Sequence, residues 1–393
     1  MSTTRPHTLA PQTLVSADNG PINILRTVAA LFVVLGHART LLLVDYDNAP
    51  HNGAQVALYG VTAIGHQAVV VFFVLSGYWV GGSLLRKARQ GRFSWPSYLA
   101  DRTTRLWVVL VPALVLTLAL DAIGRRYFGA MTAYVGDPRY GGVALDQRPI
   151  DGLTFFGNVF FMGGIRVPTF GSNTALWSLG FEFWMYVIAA IILLAFFVRG
   201  RSRLILIVVA IGSAFLVGDR VLVYVPVWLL GALVATSAPR LDRWAHRINP
   251  RTLLTLRLTA GFAALGAAVA VRGLNSLPTI VGDYIVAVPA AVLMATLTTG
   301  FIKESTERTI LGKFSTLANS SFSLYAIHVP ILVLLVSALG IQVNNRWPSD
   351  LLHWTYLLII VAGLSAGGWV FAKGTEMHTD RIRRAVKSRL GLR

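Results

Sequence analysis

The chain is laid out in apolar blocks. Ten runs of about 17 to 24 residues cover approximately 24–44, 61–83, 106–122, 174–198, 203–218, 220–236, 253–271, 279–301, 320–340 and 351–372, with short polar stretches between them. Each block is apolar all round rather than along one stripe, so it fits hydrocarbon better than the edge of a water-facing core. With 55% hydrophobic and only 13% charged residues, a soluble protein has too little polar surface to hide ten such blocks. The predicted fold class is all-α: a polytopic transmembrane helix bundle of about ten spans. Gly218 and Asp219 leave little room for a loop between the fifth and sixth blocks, so the range is roughly nine to eleven.

No internal repeat, low-complexity tract or second soluble domain interrupts this plan. The expected organisation is a polar tail at 1–21, one membrane domain at 22–372 and a basic tail at 373–393. The first twenty or so residues are polar, carry Pro6, Pro11 and Pro21, and lack an apolar core, so no cleavable signal peptide is expected and the first span directs insertion. The longest non-apolar stretch is 123–173. Inside it, Leu153 to Ile165 is apolar but too short to cross a bilayer, and it contains Gly157, Asn158, Gly163 and Gly164. Non-helical backbone at membrane depth needs protein or a wet cavity beside it, so this piece is expected to be re-entrant or interfacial and to cover a site on the outer side.

The net charge of +18 is dispersed over short loops rather than gathered on one soluble face, which argues against nucleic acid as a partner. With a cytoplasmic N-terminus, 25 of the 35 Lys and Arg fall on the cytoplasmic side, nine fall outside, and Arg257 lies within a span. This asymmetry places both termini in the cytoplasm, the membrane being the cell's inner (cytoplasmic) one. The chain has no cysteine, which excludes disulfides, thiolate metal sites and an acyl-cysteine intermediate. No metal site is expected.

Ionisable groups inside spans are costly unless paired, and each is therefore a candidate for function. They are His37, Glu182 and His328, with Asp283 near the start of the eighth block and Arg26 and Arg39 at the two ends of the first. Arg26 and His37 are eleven residues apart, on one helix face and about 16 Å apart along the axis. That spacing suits a long ligand, though a positive-inside anchor and a buried hydrogen-bonded histidine satisfy it equally. Glu182 is expected at a depth close to that of His37, where it would fix the imidazole tautomer or make a helix-packing contact. Arg102 and Arg105 are expected at the start of the third helix, where two guanidiniums and a helix N-terminus make a phosphate cradle, or where positive-inside topology alone places them. Ser76 and Gly77 interrupt the second block, as helix-packing residues commonly do.

Five segments, in order, resemble acyltransferase family 3, whose members transfer acyl groups to sugars and other hydroxyl acceptors. They are Arg26 with His37 after ten intervening residues; Val71 to Gly77; Arg102 and Arg105 followed by Pro112; Trp177-Ser178-Leu179 with Glu182; and Ser323-Leu324-Tyr325 with His328 and Pro330. Ala326 and Ile327 stand where the family often has bulky aromatics, and Phe183 where a second polar residue is common. The resemblance implies a cytoplasmic acyl-CoA donor, most commonly acetyl-CoA. Arg102, Arg105, Arg26 and Ser76 would lie on the donor side, and His37 would act as general base, oriented by Glu182 or His328. The acceptor would be a cell-surface glycan, a lipid-linked sugar or a similar hydroxyl compound reached from the outer side. The rival reading is a proton-coupled transporter, since intramembrane His and Glu also build proton relays; no paired halves with matching interrupted helices support it.

The charge asymmetry yields a topology prediction. Reporters fused within 45–60 and 123–173 read outside, and those within 84–101, within 237–252 and at the C-terminus read inside; a C-terminal reporter reading outside reverses donor and acceptor sides.

Overall fold

A computed structural model describes residues 20–129, 133–134, 137, 149–274, 276–299 and 320–392. The expected polar tail before residue 20, the basic stretch at 302–313 and most of 130–148 lie outside the described residues. The rest is helical: α1 (Gly20–Leu42), α2 (Gly53–Thr62), α3 (Gly65–Ser76), α4 (Gly82–Arg89), α5 (Trp95–Phe128), α6 (Gly152–Val159), α7 (Trp177–Leu194), α8 (Arg201–Val217), α9 (Asp219–Leu222), α10 (Val225–Ala245), α11 (Pro250–Gly273), α12 (Thr279–Leu297), α13 (Ser321–Ala338), α14 (Leu351–Gly374) and α15 (Thr379–Arg389). Among the described residues, extended pairing is limited to the isolated bridges Leu43 to Trp347 and Gly163 to Val167. Among the described residues, nine helical runs are long and apolar enough to cross a membrane. The 17-residue α8 is the remaining apolar block, and Gly218, at φ 72°, separates it from α9 and α10. The fold is thus the expected all-α polytopic bundle.

α1 is central, packed between α3 and α13, with α10 and α12 against α3 and α5 against α13. The peripheral helices carry apolar side chains outward, Leu204, Val208, Ile211 and Phe215 on α8 and Leu254, Leu258 and Phe262 on α11, as a lipid-facing surface requires. Helices in lipid gain little from hydrophobic burial and associate through close backbone approach at small residues. The second span shows this. α3 passes through a π turn, Gly77–Gly81, into α4, and α10 lies directly on that turn. A Cβ on Gly77 would sit 1.8 Å from the Trp228 carbonyl oxygen, and one on Gly231 would sit 1.9 Å from that of Val74. Gly77 is therefore a packing residue.

Two sequence expectations are corrected. The third helix begins at Trp95, with Pro96 in its first turn, and not near 106. Arg102 and Arg105 stand two turns or more inside it, so no helix N-terminus points at them. The polar residues of the early turns, Ser97, Tyr98, Asp101 and Thr104, are buried rather than looped out. Residues 373–392 also form no free tail. α14 runs to Gly374, a 3₁₀ turn covers Glu376–His378, and α15 packs on α5. Asp101 of α5 anchors it, with Lys387 at 3.4 Å and Arg383 at 4.0 Å, and Lys87 of α4 joins the same carboxylate at 3.7 Å.

The segment around 153–165 dips into the bundle. At residue 172 it lies level with Asp121, whose Oδ2 accepts the Ser172 N–H at 2.7 Å. At 159 it lies level with Trp107, whose Nε1 donates to the Val159 carbonyl at 2.8 Å. Those two α5 positions are about 21 Å apart along the axis. Phe161, at φ 62°, makes the turn, sandwiched between Trp107 and Phe183. The piece is re-entrant, and its exposed apolar face is Leu153, Phe156 and Phe160.

The glycine contact sets a stability test. Gly231→Ala forces a methyl group into the Val74 carbonyl and is expected to cost about 3 kcal/mol or more. Size-exclusion profiles of the detergent-extracted variant should lose the monodisperse peak, whereas Gly212→Ala, with open space around it, should keep it.

Candidate active site

α13 carries Pro330, which has no N–H to give to the carbonyl four residues earlier. That carbonyl belongs to Ala326, and the Asn173 amide takes it instead, Nδ2 to O 2.8 Å, while donating to Thr117 Oγ1 at 3.0 Å. One turn of helix is thereby pinned to the chain entering α7. On the same turn, His328 Nδ1 lies 2.7 Å from the Tyr325 carbonyl oxygen, and His328 Nε2 lies 2.7 Å from Nδ1 of His37 on α1. The two rings are parallel within 7°.

The tautomers follow from these contacts. A carbonyl can only accept, so His328 Nδ1 carries the proton and its Nε2 is the lone pair of the neutral ring. That lone pair accepts His37 Nδ1–H, which leaves His37 Nε2 as a basic, unprotonated nitrogen. His328 is fully buried, whereas His37 keeps accessible surface. His37 therefore has the arrangement of a general base oriented by a second group, and the orienting group is His328.

Glu182 does not fill that role. Its Oε1 accepts the Tyr186 hydroxyl at 2.5 Å, with Ser76 beside both. All three line a cavity of about 760 Å³ that opens at the end of the bundle holding Arg26 and α15. The lining is ordered by depth. Arg26, Arg86, Arg102, Arg105 and Arg383 surround the mouth; Ser76, Glu182 and Tyr186 occupy the middle; Phe72, Ser178 and Tyr325 close the top. Tyr325 links the cavity to the histidine pair: its hydroxyl meets Ser178 Oγ at 2.5 Å and donates to the Ala175 carbonyl at 2.9 Å, while its carbonyl holds His328. The structure thus brings Arg26, Ser76, Arg102, Arg105 and Glu182 around one cavity and sets His37 and His328 together behind Tyr325, outside the cavity lining. Asp283 and Arg39 lie elsewhere, with His66 and Tyr59 respectively.

The arginines are not equivalent. Arg105 pairs with Glu376 at 3.1 Å, and the other oxygen of that carboxylate accepts both the N–H and the hydroxyl of Ser323 at 3.0 Å. Arg26 stacks over Trp79. Arg102 and Arg86 make no ion pair among the described residues, and Arg102 Nε is buried without a partner. Glu376 escaped the sequence reading because it sits in a basic stretch beyond the last span; its sign, opposite to its surroundings, was the available signal. Asn173 and Tyr325 were also missed. Tyr325 lies in a motif segment and Asn173 four residues before one, but only the fold brings the two turns together.

The pairing predicts different outcomes for the two arginines of the third helix. Arg105→Ala leaves Glu376 buried without its cation and should destabilise the protein by about 3 kcal/mol. Arg102→Ala should leave thermal unfolding in detergent nearly unchanged. Equal midpoints for the two variants would contradict the Arg105–Glu376 lock.

The chain is 25% identical over 202 residues to an "O-acetyl transferase" of Shigella phage Sf6, covering 49% of this chain and 55% of that protein. It thus spans about half the length of the curated relative it matches. No solved structure matches the chain. The acyltransferase domain profile matches residues 19–373, a stretch that includes the histidine pair, all five motif segments and the cavity lining up to Tyr325; the chain belongs to acyltransferase family 3.

Proposed function

We propose that this protein is a membrane O-acyltransferase that moves an acyl group, acetyl in the first instance, from acyl-CoA to a hydroxyl of a cell-surface glycan, a lipid-linked sugar or a similar acceptor. The observation that carries this reading is one arrangement: an unprotonated His37 Nε2, oriented through His328, and next to that pair a cavity walled by Tyr325 and by five arginines. The related phage protein is named for O-acetyl transfer. In this reading the basic end faces the cytoplasm of the inner membrane, in line with the charge asymmetry.

Arg102 and Arg86, not tied to carboxylates, are the donors offered to the nucleotide phosphates, with Arg26 beside them. The pantetheine arm runs past Ser76 and Glu182 along the apolar wall towards Tyr325. Arg26 and His37 are about 16 Å apart along α1, a span that an extended arm of this kind bridges. The acceptor hydroxyl reaches His37 from the opposite end. His37 Nε2 takes its proton as the oxygen attacks the thioester carbonyl carbon; the C–S bond breaks, and the proton passes to the departing thiolate. His328 spreads the transient positive charge, its Nδ1–H held by the Tyr325 carbonyl. Glu182 stands below this point and serves the donor channel.

The test is transfer of radiolabelled acetyl from acetyl-CoA into native membranes. His37→Ala should lower it by about 10²- to 10⁴-fold, the range of a lost general base, with acetyl-CoA binding retained. Arg102→Ala should raise the acetyl-CoA concentration needed for half-maximal rate about tenfold. Wild-type turnover in His37→Ala at matched expression overturns the assignment, and a wild type that labels nothing overturns the acyltransferase reading.

A further inference from the structure

The inner end of the cavity carries a chemical demand that the residues assigned so far leave unmet. As the acceptor oxygen adds to the thioester carbonyl carbon, negative charge gathers on the carbonyl oxygen, and away from water that charge needs a preorganised donor. His37 and His328 are engaged with the proton. The lining at this end is Val69, Phe72, Phe73, Ser178, Leu179 and Tyr325. Among these described residues, the side chains with a hydrogen to donate are Ser178 and Tyr325.

Tyr325 stands between the two halves of the site. Its carbonyl oxygen lies 2.7 Å from His328 Nδ1, and its ring lies 5.8 Å from the His328 ring, tilted by 52°. The same ring meets Phe72 of the cavity wall, centroids 6.0 Å apart. His37 and His328 lie outside the lining to which Tyr325 belongs. A thioester at the end of the donor arm therefore meets the Tyr325 phenol before it meets the histidine pair.

The hydroxyl is held in a way that allows its release. Tyr325 Oη lies 2.9 Å from the Ala175 carbonyl oxygen and 2.5 Å from Ser178 Oγ, and Ser178 Oγ lies 3.3 Å from that same carbonyl. A carbonyl only accepts, and each hydroxyl has one hydrogen. In one arrangement Tyr325 donates to Ala175 and Ser178 donates to Tyr325. In the other Ser178 donates to Ala175, and the Tyr325 hydrogen is available to a new acceptor. Tyr325, Ser178 and Ala175 are 5%, 5% and 2% exposed. Withdrawing a donor from a carbonyl so buried is costly, and a second hydroxyl already in place lowers that cost. A lock between α7 and α13 needs one hydroxyl here; the fold supplies two.

The geometry points to the Tyr325 hydroxyl as a catalytic hydrogen-bond donor to the thioester carbonyl oxygen, released to it when Ser178 takes over the Ala175 carbonyl. Tyr325 gives up no proton. As the bond from the acceptor oxygen to the carbonyl carbon forms, the carbonyl π pair moves onto oxygen, where the Tyr325 O–H holds it. When that pair returns, the C–S bond breaks and the thiolate leaves with the proton that His37 took from the acceptor. Ser178 is a positioning residue. One tyrosine thus serves both reacting partners, orienting His328 through its carbonyl and polarising the donor through its hydroxyl. This inference rests on the acyltransferase reading above and adds a catalytic group to it.

The experiment follows transfer of radiolabelled acetyl from acetyl-CoA in native membranes, with binding measured on the full-length protein in lipid nanodiscs. Two probes are used for binding: the ketone S-acetonyl-CoA, and its trifluoromethyl counterpart, which in water is largely a tetrahedral hydrate. Tyr325→Phe keeps the ring and the backbone carbonyl. It is expected to lower turnover about 10²- to 10³-fold, the range of a lost oxyanion donor, with the half-saturating acetyl-CoA concentration unmoved. Ser178→Ala should lower turnover about tenfold. Wild type should bind the trifluoromethyl ketone at least about tenfold tighter than the plain ketone, and Tyr325→Phe should bring that ratio towards one. A tyrosine that only locks α7 to α13 weakens both ketones alike and leaves the ratio unchanged. Near wild-type turnover in Tyr325→Phe overturns the proposal, and so does a lowered turnover with the ratio intact. If Tyr325→Phe fails to bind acetyl-CoA, Ser178→Ala is read in its place, and a ratio equal to that of wild type overturns the proposal. A wild type that labels no acceptor removes the acyltransferase reading itself, whereas labelling by wild type together with an unmoved ratio removes the Tyr325 donor alone.

Discussion

A proline inside a helix leaves one carbonyl without its N–H, and in a bilayer that group must find a partner within the protein. Pro330 creates this demand at Ala326, and Asn173 answers it. The contact pins the turn of α13 that carries Tyr325 and His328 against the chain entering α7. With that turn fixed, the Tyr325 carbonyl orients His328, His328 orients His37, and the tautomers of both rings are determined. The Tyr325 hydroxyl, turned the other way, closes the top of the cavity with Ser178. One missing hydrogen-bond donor thus organises the site from both sides.

The basic end depends on a second lock. Five arginines around one cavity mouth repel one another, and the fold brings in carboxylates to hold them. Glu376 takes Arg105 and Ser323 together, while Asp101 gathers Lys87, Arg383 and Lys387. These contacts fold the C-terminal helix back over the opening, so residues beyond the last span form part of the cavity wall. They also divide the arginines by role. Arg105 is held by a buried carboxylate, and Arg102 and Arg86 make no ion pair among the described residues.

Close approach at glycine binds the two ends together. Gly77 and Gly231 let α10 lie on the π turn of the second span, and Gly36 and Gly65 let α1 lie on α3. Where lipid offers helices no hydrophobic reward for associating, such contacts supply dispersion and fix the rotation of each helix. Rotation is what matters for the site. It sends Ser76, one residue before Gly77, into the cavity.

Much of this was legible in the amino-acid sequence. Block length and the absence of charge are local properties, so the all-α polytopic fold and the re-entrant piece at 153–165 followed from them directly. Glu182 of the cavity wall and both members of the histidine pair were also named, because an ionisable group inside an apolar block is conspicuous. Partnership was not legible. Glu182 and His328 both stood open as the group orienting His37; depth along a helix says nothing of rotation, and the fold gives His37 to His328 and Glu182 to Tyr186. The third helix extends back to Trp95 because helical backbone does not stop where the apolar run does, and that moved Arg102 and Arg105 away from any helix end. Glu376 and His66 were passed over because each lies outside or at the edge of a block. Composition along the chain determined which groups must be paired in a membrane; only tertiary packing, which fixes rotation and brings distant turns together, decided with what.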